Sequence, residues 1–169
     1  MDAATHHPHQ TDLTPINHPD AVCLTAIRQT SWGKGLDEPL LQLMVDYVQP
    51  FRAPANTTLC VEGERGDFMA FVISGRLRVD KRDYFQESQM LAQLGPGSSF
   101  GEMALVDAEP RSASIQTVEE TELLMLTHAA FQRLLTDHPD AAVQILVQVS
   151  RVLSQRIRYL NRRVLEHLA

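Results

Sequence analysis

The sequence predicts a mainly β protein: an antiparallel β-roll of jelly-roll type, with N-terminal helices ahead of it and one long C-terminal helix behind. Three observations carry this. Between Thr58 and Leu126 short apolar runs are separated by glycine-bearing turns, the pattern of a closed or rolled sheet. Upstream of Pro50, and again downstream of Pro139, the apolar residues fall into the three-and-four spacing of a helix face. A chain of 169 residues is long enough to bury one core of useful size.

The elements follow in order. Residues 1–22 are rich in His, Pro, Thr and Asp, show no periodicity, and read as a disordered tail. His6, His7 and His9 lie in it, and a short His-rich tail reads as solvated rather than as a metal site. Residues 23–140 hold a helical lead-in and the roll. Ala21 to Thr30 is a short helix. Leu36, Leu40, Leu41, Leu43, Met44 and Val48 mark a second, which Pro50 ends. Strands are expected at Thr58–Glu62, Phe68–Ile73, Arg76–Asp80, Met90–Leu94, Ala113–Thr117 and Glu122–Leu126. Ser74-Gly75 joins two of them as a hairpin. Leu77 and Val79 alternate with Arg76, Arg78 and Asp80, so that strand has one dry face and one wet one. His128 to Leu135 is a short helix, broken by Asp137-His138-Pro139-Asp140. Residues 141–169 form the long last helix. Its stripe of Leu146, Val149, Leu153, Ile157, Leu160, Val164 and Leu168 is longer than one small barrel needs and resembles a helix–helix seam.

One loop stands out chemically. Phe100-Gly101-Glu102-Met103-Ala104-Leu105 is followed, five residues later, by Pro110-Arg111-Ser112-Ala113-Ser114. A carboxylate, a guanidinium and several small residues are thereby placed between two apolar segments. Glu102 can accept a hydrogen bond from a sugar hydroxyl, and Arg111 can pair with a phosphate oxygen. Gly101, Ala104, Ser112 and Ala113 leave room for backbone N–H groups to approach an anion. Taken singly, Glu102 would be a cap, Arg111 a surface cation and Gly101 a turn residue. It is their order and spacing that point to a site.

These motifs resemble the phosphate-binding cassette of cyclic nucleotide-binding domains, the family of bacterial catabolite activators, protein kinase A regulatory subunits and cyclic nucleotide-gated channels. The resemblance runs from about Leu36 to Val164, with the cassette at 100–114. It implies that Glu102 holds the ribose 2′-hydroxyl of cAMP or cGMP and Arg111 the cyclic phosphate. Backbone N–H groups of Ala104 and Ser112, with the Ser112 hydroxyl, complete the cradle. Glu102 to Leu105 is expected as a short helix. Laid on the catabolite activator branch, Arg156 and Ile157 fall where that branch reads the adenine amino group with hydroxyl side chains. Arg156 is expected to stack on the purine instead, which leaves the preference between cAMP and cGMP open.

Charge and composition bound the function. The formal net charge is −6, but five arginines against Glu166 make residues from Arg151 onward +4 and the rest −10. An acidic body argues against broad nucleic-acid binding. No winged helix follows the last helix, so direct DNA binding is not expected. Cys23 and Cys60 form no metal-ligand spacing, and reduced thiols in a cytoplasm are the expectation. No signal peptide or membrane span is visible. No nucleophilic triad, metal-ligand set or Walker loop suggests an enzyme, and no cofactor is expected. The expectation is a cytoplasmic sensor of cAMP or cGMP. It would dimerise through its last helix and signal to a protein effector. The alternative is a docking or dimerisation module of the same fold that no longer binds nucleotide.

Overall fold

The computed structural model describes residues 12–107 and 109–168, with side chains described through Arg162. Four helices and nine strands are present among these residues: α1 (Asp20–Gln29), α2 (Glu38–Val45), β2 (Gln49–Ala53), β3 (Thr58–Cys60), β4 (Phe68–Ser74), β5 (Leu77–Arg82), β6 (Ser88–Leu94), β7 (Ser99–Phe100), β8 (Ser114–Thr117), β9 (Thr121–Thr127), α3 (His128–Asp137) and α4 (Pro139–Leu168), preceded by β1 (Thr14–Pro15). The strands form two antiparallel sheets, in the orders β1-β2-β9-β4-β7 and β3-β8-β5-β6. This is the expected roll between flanking helices.

The layering explains the strand patterns. Neither β4 nor β9 alternates, because each is covered on both faces. From β4, Met69 and Phe71 point into a core shared with the helices, where Trp32, Phe131, Leu134, Ile145 and Val149 lie. Phe68, Ala70 and Val72 point the other way, into the roll with Leu77, Phe100, Ile115 and Leu123. β6 is the opposite case, exposed along almost its whole length at the free edge of its sheet.

Local chemistry sets the helix starts. Asp37 Oδ1 accepts from the Leu40 N–H at 3.0 Å to cap α2, and Thr127 Oγ1 accepts from Ala130 N–H at 3.1 Å to cap α3. Pro139 opens α4, where its missing N–H costs nothing.

Three stretches differ from the sequence expectation. Within the expected tail, residues 12–22 carry structure: Thr14–Pro15 pairs with Phe51 and Arg52, Leu13 packs against the roll, and His18 Nε2 lies 3.0 Å from Glu122. Two apolar residues, Leu13 and Ile16, are too few to show a period, yet they suffice beside an open sheet edge. His6, His7 and His9 lie outside the described residues. The second difference is β2, where α2 stops at Val45 and the chain re-enters a strand that contains Pro50. That proline donates no bond, but its carbonyl accepts from Ile16 N–H at 3.1 Å. The third is β7, two residues long and below any pattern length.

Candidate functional site

The cassette is built around one left-handed residue. Gly101 sits at φ 78°, ψ 14°, directly after β7, and starts the short 3-10 helix Glu102–Leu105. A side chain there would be strained by the backbone, and its Cβ would lie 2.6 Å from Arg111 Nη1 and 2.8 Å from the Phe68 carbonyl oxygen. Ala104 N–H donates to the Gly101 carbonyl at 3.0 Å and closes the turn. It is therefore engaged in the protein's own backbone, where the sequence reading had it facing a phosphate.

Arg111 is held from several sides. Its backbone N–H donates to the Glu64 carbonyl at 2.7 Å, its carbonyl accepts from Gly63 N–H at 2.9 Å, and Pro110 bridges to Arg65. Its guanidinium donates to the Phe68 carbonyl at 2.8 Å and lies 4.6 Å over the Phe68 ring. A Cβ at Gly66 would lie 2.3 Å from Arg111 Nε. Gly66 and Gly101 thus flank the side chain, and the missing methyls make its slot. The buried Cys60 thiol shares this corner. Desolvation pushes it from its ordinary 9.0 up to about 11, against the opposing pull of Arg111. Phe100 backs the site, its ring edge-on to Phe68 at 6.1 Å.

Beside Arg111, the exposed Ser112 is tied to the roll through its carbonyl, which accepts from Lys81 Nζ at 2.7 Å. Lys81 also pairs with Glu62 at 3.3 Å, and Glu62 N–H donates to Ser114 Oγ at 3.0 Å. Ala113 is half-buried between them.

Glu102 is the second charged group, and it is 1% exposed. Ser99 Oγ donates to its Oε1 at 2.5 Å. Arg156 of α4 reaches it with Nη1 to Oε2 at 2.9 Å and Nη2 to Oε1 at 3.0 Å, and Nη2 also donates to the Ser99 carbonyl at 2.8 Å. A carboxylate this buried needs such a partner set to stay in the fold. Arg156 thus enters the site as the partner of Glu102, a role the sequence reading did not assign to it. A cavity of about 350 Å³ adjoins this contact, walled by Arg156, Gln155 and Tyr159 on one side and Ser98 and Gly97 on the other.

The structure therefore brings Phe100, Gly101, Glu102, Arg111 and Arg156 together. Met103 is 43% exposed, and Leu105 belongs to the helical core. Sequence reasoning missed Ser99, Phe68, Gly66 and Cys60. Gly66 carried a signal, as the second glycine of the turn Gly63-Glu64-Arg65-Gly66-Asp67; the others had none. Among the described residues no cluster of His, Cys, Asp and Glu is placed to hold a metal, and no helix is long and apolar enough to cross a membrane.

Comparison with known proteins gives a consistent result. A family model described as cyclic nucleotide-binding domain matches residues 50–138, more than half of the chain. The CRP-like cAMP-activated global transcriptional regulator of Mycobacterium tuberculosis is 29% identical over 128 residues, 76% of this chain and 55% of the regulator. The chain thus spans about half the length of that relative. A cyclic nucleotide-binding domain from Methylobacillus flagellatus superposes with a TM-score of 0.81 at 25% identity, covering 96% of both chains. The regulatory domain of Toxoplasma gondii protein kinase A, solved with cAMP, superposes with a TM-score of 0.62 at 30% identity, covering 68% of this chain and 43% of that one.

Proposed function

Because the chain belongs to the cyclic nucleotide-binding domain family, we propose that it is a non-catalytic sensor that takes up cAMP or cGMP at the cassette and reports through α4 to a protein effector in the cytoplasm. The observation that carries this is the pairing of two charged groups on one short loop. Arg111 lies in a slot between two glycines, and Glu102 is buried behind Arg156. In this reading Arg111 takes the cyclic phosphate, with the Ser112 hydroxyl beside it, and Glu102 takes the ribose 2′-hydroxyl. The mycobacterial relative is named as cAMP-activated and the Toxoplasma domain was solved with cAMP, which supports a cyclic purine nucleotide as the ligand class.

The output runs through Arg156. Ligand and helix meet at the same carboxylate, so a ligand that changes the position of Glu102 changes what α4 is fastened to. The shift is limited to the ligand's differential affinity for the two helix positions. Val143, Ile157 and Leu160 stand exposed on α4, and we read this stripe as a self-association face.

Isothermal titration of nucleotide-free protein with cAMP and with cGMP tests the reading. Micromolar or tighter binding that is lost in Arg111→Leu supports it. One observation favours the second reading, a docking module: Glu102 is already closed off by Arg156. No binding of either nucleotide, checked by displacement of a fluorescent cyclic nucleotide, would favour that alternative.

A further inference from the structure

The β5–β6 hairpin is unlike the rest of the surface. Tyr84 is 92% exposed and Phe85 81%, and their rings meet edge-to-face at 5.6 Å. They do not sit on a loose loop. Asp83 Oδ1 accepts from Phe85 N–H at 2.8 Å and from Glu87 N–H at 3.0 Å, and its Oδ2 accepts from Gln89 Nε2 at 3.2 Å. The Asp83 N–H donates to the Glu87 carbonyl at 2.9 Å, and Gln86 takes the left-handed region at φ 64°. The turn spends a strained residue and a whole carboxylate to hold two aromatic rings in water. Preordered aromatic side chains of this kind are what binding hot spots are made of.

The strand behind the tip is open as well. Natural edge strands are blunted by charge, proline, short length or a bulge. β6 has seven residues, Ser-Gln-Met-Leu-Ala-Gln-Leu, with neither charge nor proline, and Met90 and Leu91 are 56% and 52% exposed. One bulge, at Leu91, adds twist; from Ser88 to Met90 the pairing with β5 is regular.

We propose that β6 is a homotypic interface, closed by a second copy whose own β6 pairs with it antiparallel about a two-fold axis at Met90. Three arguments select a second copy. The chain carries a net charge of −6, but from Tyr84 to Leu94 only Glu87 is charged, so two copies meet here without repulsion. The register is self-complementary. With Met90 on the axis, Ser88 faces Ala92 of the second copy, Phe85 faces its Gly95, and Tyr84 faces its Pro96. A Cβ at Gly95 would meet nothing within 4 Å, which leaves open space for the Phe85 ring. The area is also sufficient. Two aromatic rings bring about 150–250 Å² each, and with Met90, Leu91 and the strand backbone the patch approaches the ~800 Å² per partner of a stable interface. The contact is isologous and closes on itself. Leu94, at the end of β6, shares with α4 the wall of the cavity beside Arg156, but the pairing is built on the hairpin and does not depend on the cyclic nucleotide reading.

The test uses the full chain carrying Ile157→Glu, which disables the α4 stripe and isolates the hairpin. Sedimentation velocity is expected to show a concentration-dependent dimer. Adding Tyr84→Ser with Phe85→Ser should raise its dissociation constant at least ~10-fold, as loss of a hot-spot pair does. Met90→Lys, which sets two like charges on the axis, should do the same should the double variant fail to fold. A mixture of Ser88→Cys and Ala92→Cys chains should oxidise to a mixed disulfide that neither chain forms alone, since native Cys23 and Cys60 are buried. A monomeric Ile157→Glu chain, an association unchanged by the hairpin variants, or cross-linking no greater in the mixture than in either chain overturns the proposal.

Discussion

Replacing Arg156 with Leu removes the contact that fastens α4 to the cassette and leaves a carboxylate 1% exposed with only Ser99 donating to it. Arg156 donates three hydrogen bonds, two of them to Glu102. Each bond to a charged group is worth about 1.5–3 kcal/mol net when buried. The guanidinium is 46% exposed, so water screens the pair and the three do not add in full. Counting about one such bond at full strength gives a loss of ~2–3 kcal/mol. For a chain of this size each kcal/mol moves the midpoint by about 2–4 °C, so the variant should melt roughly 4–12 °C lower. Thermal unfolding followed by circular dichroism reads this directly. A second substitution, Glu102→Gln in the Arg156→Leu chain, should recover part of the loss, because the cost is that of an unpaired buried charge. A midpoint within about 1 °C of the parent would refute the reasoning, given the same size scaling. So would a double variant less stable than Arg156→Leu alone.

Other outcomes follow from the same geometry. Arg111→Leu should lower affinity for cyclic nucleotide by at least ~100-fold in titration calorimetry, because it leaves the phosphate without its charged partner, while the fold survives. Gly66→Ala should weaken binding more than stability, since its Cβ would strike Arg111 Nε at 2.3 Å without any positive φ to strain. Gly101→Ala should lower both, by roughly 1–3 kcal/mol in denaturant unfolding, because φ 78° adds backbone strain. The buried Cys60 thiol keeps its proton to about pH 11, whereas the unfolded chain loses it near 9.0. Over that window the native state binds more protons, so stability should fall as pH rises, by about 2–3 kcal/mol in all. Urea titrations at pH 8 and pH 10.5 should show the fall in the parent and a smaller one in Cys60→Val.

Much of this was legible in the sequence because it was written locally. The alternation of Leu77 and Val79 and the glycine turns each fit inside a window of a few residues, whereas the α4 stripe, read as a helix–helix seam, divides: Leu146, Val149 and Leu153 pack into the helical core, while Ile157 and Leu160 stay exposed. Gly101 and Glu102 needed only the order in which they occur. What escaped needed partners far along the chain. β2 carries a proline and makes sense only beside β1 and β9. β4 and β9 lack alternation because layers contributed by distant helices cover their second face. The Glu102–Arg156 pair spans 54 positions, and nothing near Arg156 marks it as different from Arg151 or Arg158. Sequence reasoning expected Arg156 to stack on a purine, whereas in the structure its guanidinium is bound to Glu102. The exposure of β6 was hidden for the same reason: its apolar letters look like those of a buried strand, and only the sheet order shows that it lies at an edge.

The burial of α4 changes along its length, and this has a mechanical consequence. Ala142, Ile145, Gln148, Val149 and Val152 are packed into the body, with Gln148 Nε2 donating to the Gly35 carbonyl at 2.6 Å. From Gln155 to Arg162 every residue is exposed, and Arg156 is the tether to the cassette. The helix is thus a lever, with its fulcrum near Val152 and its load roughly 24 Å away at Leu168, at 1.5 Å of rise per residue. A tilt of about 10° at the fulcrum moves the far end by roughly 4 Å on that arm. An ångström-scale displacement of Glu102 would then be geared up to the size of a side chain. A partner gripping the outer turns would feel a stroke several times larger than the event that caused it.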